Sequence, residues 1–295
     1  MLPTATAHAV LTQILINGLI LAGSYALIAV GLTLIFGVMR MVNFAQGQSA
    51  MIGAFVAFTV APAIGYLPAI AVAMLANAGL GIVLERTAFR PFRGAELNGL
   101  IASMGMSIIL INIAELVWGT TPRTFDTPLN HVSFLFGTVG VSAQRLLVIV
   151  CSVGLLLGLW WLVRFSSLGR QFRAVSEDPE IAAAIGIDTV RISRTSVVLG
   201  TSLSAAAGAL SGPVNLLSPD LGQAEMLNAF AAIILGGFGN VNGTILGALL
   251  IGMVQSIAAV YISNAYSGSI AFALLVVTLI FFPRGLVPER AEENV

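Results

Sequence analysis

Long runs without any charged residue constrain this chain more than any other feature. Asp, Glu, Lys and Arg are absent from residues 41–84, 97–114, 146–163, 195–219 and 226–283. One helical span of a bilayer needs only about 20 apolar residues, so the longest of these runs must fold back on itself. With 58% hydrophobic and 9% charged residues, the composition also lies far from that of a soluble globular chain. The sequence therefore predicts a polytopic membrane protein.

The basic residues exclude several kinds of chemistry, because all thirteen are arginine and the chain has no lysine. A Walker A loop needs a lysine on the nucleotide phosphates, and a pyridoxal enzyme needs a lysine imine. The single cysteine, Cys151, allows neither a disulfide framework nor a cysteine metal site. We therefore expect no catalytic residues, no bound metal and no cofactor. If ATP drives this protein, another subunit must hydrolyse it.

Glycine, proline and polar clusters divide the chain into apolar segments. The segments lie near residues 10–38, 44–61, 67–84, 97–117, 146–163, 194–214, 226–238, 243–262 and 268–282. They predict an all-α transmembrane bundle with about eight to ten crossings. The long first segment leaves room for a break, and the short segment at 226–238 is compatible with a re-entrant piece.

The distribution of arginine predicts the orientation. If the segments alternate in direction, eleven arginines fall on one side, and only Arg123 and Arg145 fall on the other. The side rich in arginine is normally cytoplasmic. We therefore expect the N-terminus outside and the C-terminus in the cytoplasm.

A repeat of small residues indicates where two helices approach closely. Its members lie four residues apart, on one helical face: Gly200, Ser204, Gly208 and Gly212. Small residues at this spacing allow backbone contact within a bilayer. A second glycine cluster, at residues 235–243, is too rich in glycine and asparagine for a regular helix. Two interpretations remain open for it, a discontinuous helix beside a translocation path and a tight turn between two spans.

Residues 169–187 form a charged segment between uncharged runs. Asp178 is suited to cap a helix N-terminus, Pro179 fits its first position, and Glu180 lies where the helix dipole favours negative charge. Gly186 can adopt the left-handed conformation that ends a helix. The segment thus predicts a short, capped, polar helix on the cytoplasmic side.

The predicted helix places Ile181 and Ile185 one turn apart on the same face. A helix of about two turns is marginal by itself, so it must pack against something. An apolar face flanked by charges suits the groove of a soluble partner. The alternative is a helix that lies on the protein's own cytoplasmic surface.

Candidate pathway residues are polar but neutral. We assign this role to Asn43, Gln46, Gln48, Ser49, Ser103 and Ser107, although such side chains also bond to neighbouring helices. No acid or arginine lies centrally in any predicted span, which argues against a proton-driven or sodium-driven carrier. Asp220 and Glu225 are expected to flank an external loop, either as a landing site for a solute-binding protein or as an ordinary solvated turn.

Several sequence blocks resemble the permease subunits of branched-chain amino acid ABC importers. The blocks are Gly31–Met39, Val42–Gly47, Glu85–Arg86, Arg90–Gly94, Arg173–Pro179, Gly186–Asp188, Leu235–Gly239 and Phe282–Leu286. They occur in the family's order over nearly the whole chain. One departure concerns Gln46 and Gln48, because many relatives have a histidine and a glutamate there. The chain therefore has no titratable side chain at these two positions.

The resemblance implies an all-helical bundle in which the segment at 170–188 contacts a cytoplasmic ATPase. The residues that it assigns to this coupling are Arg173, Ala174, Glu177, Asp178, Pro179, Glu180, Ala183, Ile185 and Gly186. The implied partners are a second permease subunit, two cytoplasmic ATP-binding subunits and an external solute-binding protein. The implied substrate is a branched-chain or other neutral amino acid, and no nucleic acid is involved.

We therefore expect one transmembrane permease domain over residues 1–295, with a coupling loop at 164–194, in the lipid of a bacterial inner membrane. Urea and short-chain amides remain alternative substrates. Two alternatives belong to other classes: a stand-alone facilitator or channel, and an ion-coupled secondary carrier. Transport without partners would indicate the first, and dependence on an ion gradient would indicate the second.

Overall fold

The fold is described by a computed structural model. It covers residues 4–136 and 139–263, and beyond them only Ser269, Ala273, 275–277, Ile280 and Leu286. Most of the apolar segment expected at 268–282 thus lies outside the described residues. Within the described part of the chain, the structure is almost entirely helical, as expected for a membrane bundle.

The described part of the chain forms ten α-helices, of which eight follow the predicted apolar segments and the sixth and seventh lie in the charged segment. They are α1 (Thr4–Met39), α2 (Gln46–Ile64), α3 (Tyr66–Leu84), α4 (Glu96–Trp118), α5 (Ala143–Phe165), α6 (Ser167–Glu177), α7 (Pro179–Ala184), α8 (Thr189–Ser211), α9 (Leu221–Gly236) and α10 (Val241–Tyr261). A π-helical turn at Glu85–Phe89 and a 3-10 turn at Arg90–Phe92 extend α3. The first apolar segment forms one uninterrupted helix of 36 residues.

Six described helices are long and apolar enough to cross a membrane. Their spans are His8–Met39, Gln46–Ile64, Tyr66–Phe92, Glu96–Trp118, Ala143–Phe165 and Val241–Tyr261. Helix α8 is outside this set; it has 23 residues, with Arg191 and Arg194 in its first two turns. Helix α9 is shorter, at 16 residues. The polytopic all-helical fold is confirmed, and the crossing number and the orientation stay predictions.

Antiparallel helix pairs build the centre of the bundle. Helix α1 runs against α10, because Ser256 bonds to Ile14 near one end and Thr33 contacts Thr244 near the other. Helix α3 runs against α8 in the same way, and Thr201 donates a hydrogen bond to the Asn77 carbonyl midway along this pair. The buried core lies mainly among α1, α2, α8, α9 and α10.

One end of the bundle collects most of the arginines, and we call it the arginine-rich end. There Arg40 contacts the Glu177 carbonyl, Arg173 contacts the Val163 carbonyl, and Arg194 contacts Glu85. The opposite end carries four short strands, β1 (Arg123–Thr124), β2 (Ser133–Phe136), β3 (Val139–Ser142) and β4 (Leu216–Leu217). Strand β1 pairs with β4 and β2 pairs with β3, both antiparallel, so no closed sheet forms among the described residues.

The glycine cluster at 235–243 is a tight turn between α9 and α10. Gly237 and Gly239 have φ values of 104° and 83°, which only glycine adopts readily. Asn240 caps α10 by accepting a hydrogen bond from the Gly243 amide. Of the two interpretations of this cluster, the structure therefore supports the turn.

Candidate functional site

The charged segment at 169–187 forms a helical hairpin at the arginine-rich end. The Asp178 carboxylate accepts hydrogen bonds from the amides of Glu180 and Ile181, at 2.8 and 2.9 Å. Pro179 occupies the first position of α7, and Gly186 follows the helix with φ of 89°. Asp178 thus pairs two amides that the start of a helix leaves without a partner, and Pro179 has no amide hydrogen to pair there. Gly186 adopts the left-handed conformation that ends the helix.

Helix α7 has one buried face and one exposed apolar face. Ala182 is only 1% exposed and packs in a small core with Phe172, Val175 and Ile192. Ile181 and Ile185 are 63% and 70% exposed. The buried face attaches α7 to α6 and α8, and the exposed isoleucines have no apolar cover within the described chain.

The remaining residues assigned to coupling lie around this hairpin. On α6, Arg173 donates a hydrogen bond of 2.6 Å to the Val163 carbonyl, and the Ala174 carbonyl accepts one from the Asp178 amide. The Glu177 carbonyl accepts a hydrogen bond from Arg40, which directly follows α1. Ala183 is exposed on α7 itself. The hairpin therefore touches α1, α5 and α8 while presenting α7 outward.

Most of the predicted pathway residues bond within the protein. Gln46 donates from Nε2 to the Gly200 carbonyl at 2.8 Å and to Ser204 Oγ at 2.7 Å. Its Oε1 accepts a hydrogen bond from Asn43. The two contacts from Nε2 hold the start of α2 against the middle of α8, and the contact from Asn43 fixes the fully buried Gln46 side chain locally.

Two of the serines predicted to line the pathway, Ser103 and Ser49, also form hydrogen bonds within the protein. Ser103 accepts a hydrogen bond from the Phe44 amide and donates toward the carbonyls of Val42 and Leu100. Ser49 is buried and faces the carbonyl of Ala45 in its own helix. Ser103 thus joins α4 to the segment that precedes α2, whereas the hydrogen bond of Ser49 is local to the start of α2.

Gln48 and Ser107, in contrast, line a cavity of about 270 Å³ between α2, α4 and α9. The other lining residues are Phe44, Met104, Ile108, Ile111, Gln223, Met226 and Leu227. The side-chain oxygen of Gln48 is buried and has no hydrogen-bond partner among the described residues. An apolar wall with a few polar groups is typical of a small-molecule site. Gln223 and Met226 had no distinguishing sequence signal, because only the packing of α9 brings them here.

The repeat of small residues lies where helices approach α8 most closely. Added side-chain carbons at Gly200 and Gly208 would strike the backbone carbonyls of Gly31 and Ala50, respectively. Gly212 faces Leu217 and Phe125 at the opposite end of the bundle. Helix α8 thus contacts α1 and α2 at backbone distance.

The expectation for Glu225 was wrong. It lies in the second turn of α9, inside the bundle, and not in an external loop. One of its carboxylate oxygens is buried and lacks a hydrogen-bond partner in the described part of the chain. Glu225 fell at the edge of an uncharged run, so its burial depends on where α9 begins, which the sequence left open.

A closed ring of hydrogen bonds lies on the same face of α9 as Glu225. Tyr25 donates to Gln255 at 2.7 Å, Gln255 donates to Asn228 at 2.8 Å, and Asn228 donates to Tyr25 at 3.2 Å. Glu225 interacts electrostatically with Tyr25. The interior of α1, α9 and α10 is therefore polar, and it holds an acid that sequence reasoning did not place there.

Sequence reasoning also missed the role of Glu85. Its carboxylate is fully buried and pairs with Arg93 at 2.9 Å and Arg194 at 3.4 Å. Burial lowers the pKa of Arg93, and the Glu85 carboxylate opposes this shift. The three residues join α3, the turn after it and α8. Glu85 and Arg93 belonged to blocks of the family resemblance, but nothing in those blocks predicted the pairing.

The described residues do not support metal chemistry. No three of their His, Cys, Asp or Glu side chains lie close enough together to hold a metal ion. The geometry instead offers an exposed apolar face on α7 at one end, an uncharged, partly open cavity between α2, α4 and α9, and close helix packing between them. This arrangement is compatible with the movement of a small molecule through the bundle.

Comparison with known proteins gives a consistent result. The family model described as "Branched-chain amino acid transport system / permease component" matches residues 14–279. The chain is 34% identical to the high-affinity branched-chain amino acid transport system permease protein BraD of Pseudomonas aeruginosa, covering 96% of this chain and 97% of BraD. It is 31% identical to the permease protein LivH of Escherichia coli strain K12, with the same coverage.

A solved structure has a similar fold. It is PsaBC from Streptococcus pneumoniae in complex with Fab, at a TM-score of 0.50 and 15% identity. The match covers 91% of this chain and 91% of that chain. At this identity, the similarity concerns the fold alone.

Proposed function

This chain belongs to the permease components of branched-chain amino acid transport systems, and we propose that it carries neutral, aliphatic amino acids across a bacterial inner membrane with energy from a separate ATPase. As a multi-pass permease subunit of an amino acid ABC importer, it provides the membrane path. We infer that two cytoplasmic ATP-binding subunits, a second permease subunit and an external solute-binding protein complete the transporter.

The exposed face of α7 carries the proposal. A soluble subunit can bury Ile181 and Ile185 in a groove, as amphipathic helices commonly bind. The Asp178 cap and the packing of Ala182 hold α7 in a fixed position, so a displacement of the bound subunit moves the whole hairpin. The bonds from the hairpin to α1 and α5 then carry this movement into the bundle.

The cavity between α2, α4 and α9 supports the proposed substrate class. Its methionine, isoleucine and leucine side chains suit an aliphatic side chain, and Gln48, Ser107 and Gln223 offer uncharged polar groups. A site with no net charge can bind a zwitterionic amino acid without forming an ion pair, and an ion pair would slow the release of the amino acid. We propose that this cavity is one station on the translocation path.

Replacement of Ala183 by arginine tests the coupling role. In the complete transporter, A183R should abolish ATP-dependent uptake into proteoliposomes and prevent co-purification of the ATPase, because a charge would be buried in the apolar contact. The matched control is Asn98→Arg, since Asn98 is also exposed, in the first turn of α4. N98R should assemble and transport normally. Normal assembly and uptake by A183R would contradict the proposal.

The same proteoliposomes separate the alternatives. We expect uptake to require ATP and all subunits, and to persist when proton and sodium gradients are collapsed. Uptake without ATPase would indicate a facilitator, and loss with the gradients would indicate an ion-coupled carrier. Competition by leucine, urea and acetamide in binding to the external receptor would identify the substrate class.

A further inference from the structure

A small cavity near the arginine-rich end contains two guanidinium groups. It has a volume of about 170 Å³ and lies between the end of α5, the middle of α6 and the start of α10. Its lining residues are Leu159, Trp160, Val163, Arg164, Arg173, Val241 and Asn242. Among the described residues, the lining includes two arginines and no acidic side chain, so this part of the cavity is positively charged. We call it the arginine–tryptophan cavity.

The two arginines are not neutralised within the described chain. Neither Arg164 nor Arg173 forms an ion pair there. Arg164 lies over the Trp160 ring, 5.6 Å from its centre, and Arg173 donates one hydrogen bond to the Val163 carbonyl. A guanidinium has five N–H donors, so these contacts leave donors for an anion. The ring contact orients Arg164, and the hydrogen bond to the carbonyl orients Arg173.

The cavity lies at a boundary between apolar and polar surface. Helix α5 is apolar enough to span a membrane and ends at Phe165. Its last turns expose Trp160, Trp161 and Phe165, with exposed fractions of 41%, 63% and 57%. Tryptophan favours the headgroup region of a bilayer, where its ring is half in contact with lipid. The adjacent arginines are therefore at the depth of lipid phosphates.

We propose that the arginine–tryptophan cavity binds the phosphate group of an anionic phospholipid. Arg164 and Arg173 supply charge and N–H donors that match phosphate oxygens, and the Asn242 amide can add another donor. Basic pockets of this kind between helices hold anionic headgroups. The acyl chains then lie along the exposed apolar face of α5, which includes Val153 and Leu157.

A lipid bound here fixes α6 relative to the membrane. Arg173 lies on α6, and α6 carries α7 through the core of Phe172, Val175 and Ala182. A headgroup that contacts both Arg164 on α5 and Arg173 on α6 fixes the angle between these two helices. The lipid thereby sets the position of α7 without contacting it. This consequence rests on the proposed coupling role, whereas the binding of lipid does not.

The binding test uses the complete transporter, purified in detergent. Native mass spectrometry counts bound phosphatidylglycerol and phosphatidylcholine. We expect phosphatidylglycerol to be retained selectively, and the double variant R164Q/R173Q to lower its affinity by at least about tenfold. The matched control is Arg170→Gln, because Arg170 is exposed on α6 but does not line the cavity. Equal retention of both lipids, or equal loss in R170Q, would overturn the proposal.

Two further arms keep the test decisive. Brominated phosphatidylglycerol should quench the fluorescence of Trp160 more than brominated phosphatidylcholine, in a W118F/W161F background that leaves both arginines intact. Equal quenching by the two lipids would count against the site. Inorganic phosphate should not displace the lipid at millimolar concentration. Displacement would show that the cavity serves a free anion, and the assignment to lipid would fail, whatever the outcome of the uptake experiments.

Discussion

Glu85 joins the end of α3 to α8 through its contact with Arg194, at 3.4 Å. The same carboxylate binds Arg93 at 2.9 Å, in the turn that leads to α4. Because Glu85 is fully buried, separation of either arginine would weaken the pairing of a buried charge, and loss of both would leave it unpaired. These residues therefore hold three elements together close to the start of α8, which directly follows the hairpin of α6 and α7.

Neutralisation of Glu85 should destabilise the protein. We expect Glu85→Gln to lower the free energy of unfolding by about 2 kcal/mol, since two charge-assisted hydrogen bonds are weakened while their arginines stay partly hydrated. The thermal denaturation midpoint in detergent should fall by about 4 °C. Glu96→Gln is the control, because Glu96 is exposed at the start of α4. An E85Q midpoint equal to that of E96Q would refute the role of the pair.

Neutralisation of Glu225 should stabilise the protein, which is the opposite of the effect expected for Glu85. It is buried, one of its oxygens lacks a partner, and no ion pair to it occurs in the described structure. Because an unpaired buried carboxylate costs free energy, Glu225→Gln should raise the denaturation midpoint by about 2 °C or more. Glu115→Gln, in a half-buried position near the end of α4, should change it little. A lower midpoint for E225Q would reveal a partner that stabilises the charge.

The contact of Gly208 with α2 predicts a strong effect of one methyl group. An added Cβ would overlap the Ala50 carbonyl, so Gly208→Ala must push α2 away from α8. We expect a loss of about 1–3 kcal/mol in unfolding free energy. Gly105→Ala is the matched change, since nothing lies within 4 Å of a Cβ there. It should be neutral or slightly stabilising. Similar midpoints for the two variants would contradict the packing.

Substitutions of the two glutamines of α2 should have different effects, because one glutamine contributes to stability and the other is expected to contribute to transport. Gln46→Leu removes three buried hydrogen bonds, so it should lower the unfolding free energy by about 1–3 kcal/mol. Gln48→Leu should leave stability nearly unchanged, because its oxygen has no partner in the protein.

Uptake by Q48L should fall by about two- to tenfold if substrate passes the cavity, which corresponds to the loss of one hydrogen bond. The measurement is the initial uptake rate per assembled complex. Unchanged uptake by Q48L, with stability retained, would remove this cavity from the translocation path.

Periodic and local features were predictable from the sequence. Uncharged runs gave the helical segments within a few residues, because burial of backbone polar groups in lipid allows little except helix. The cap at Asp178 and the stop at Gly186 were predictable for a similar reason, since each acts on backbone groups a few residues away. The small-residue repeat likewise indicated a close helix contact, although not which helices would meet there.

Pathway residues were harder to identify from the sequence. A neutral polar side chain looks the same there whether it lines a cavity or forms a hydrogen bond between two helices. The structure distinguishes Gln46, with three internal hydrogen bonds, from Gln48, two residues later, which faces a cavity. The two differ only in the direction of the side chain around α2. That direction depends on the contact of α2 with α8.

By itself, the sequence determined a lysine-free membrane bundle with a capped helix among its arginines, because charge, hydropathy and capping act over a few residues or along one helix. Only the tertiary structure decided that Glu85 meets Arg194, that Glu225 is buried beside Tyr25, and that Arg164 and Arg173 share one cavity. Each of these contacts joins residues from separate helices. Their meeting depends on how whole helices pack, which no local pattern specifies.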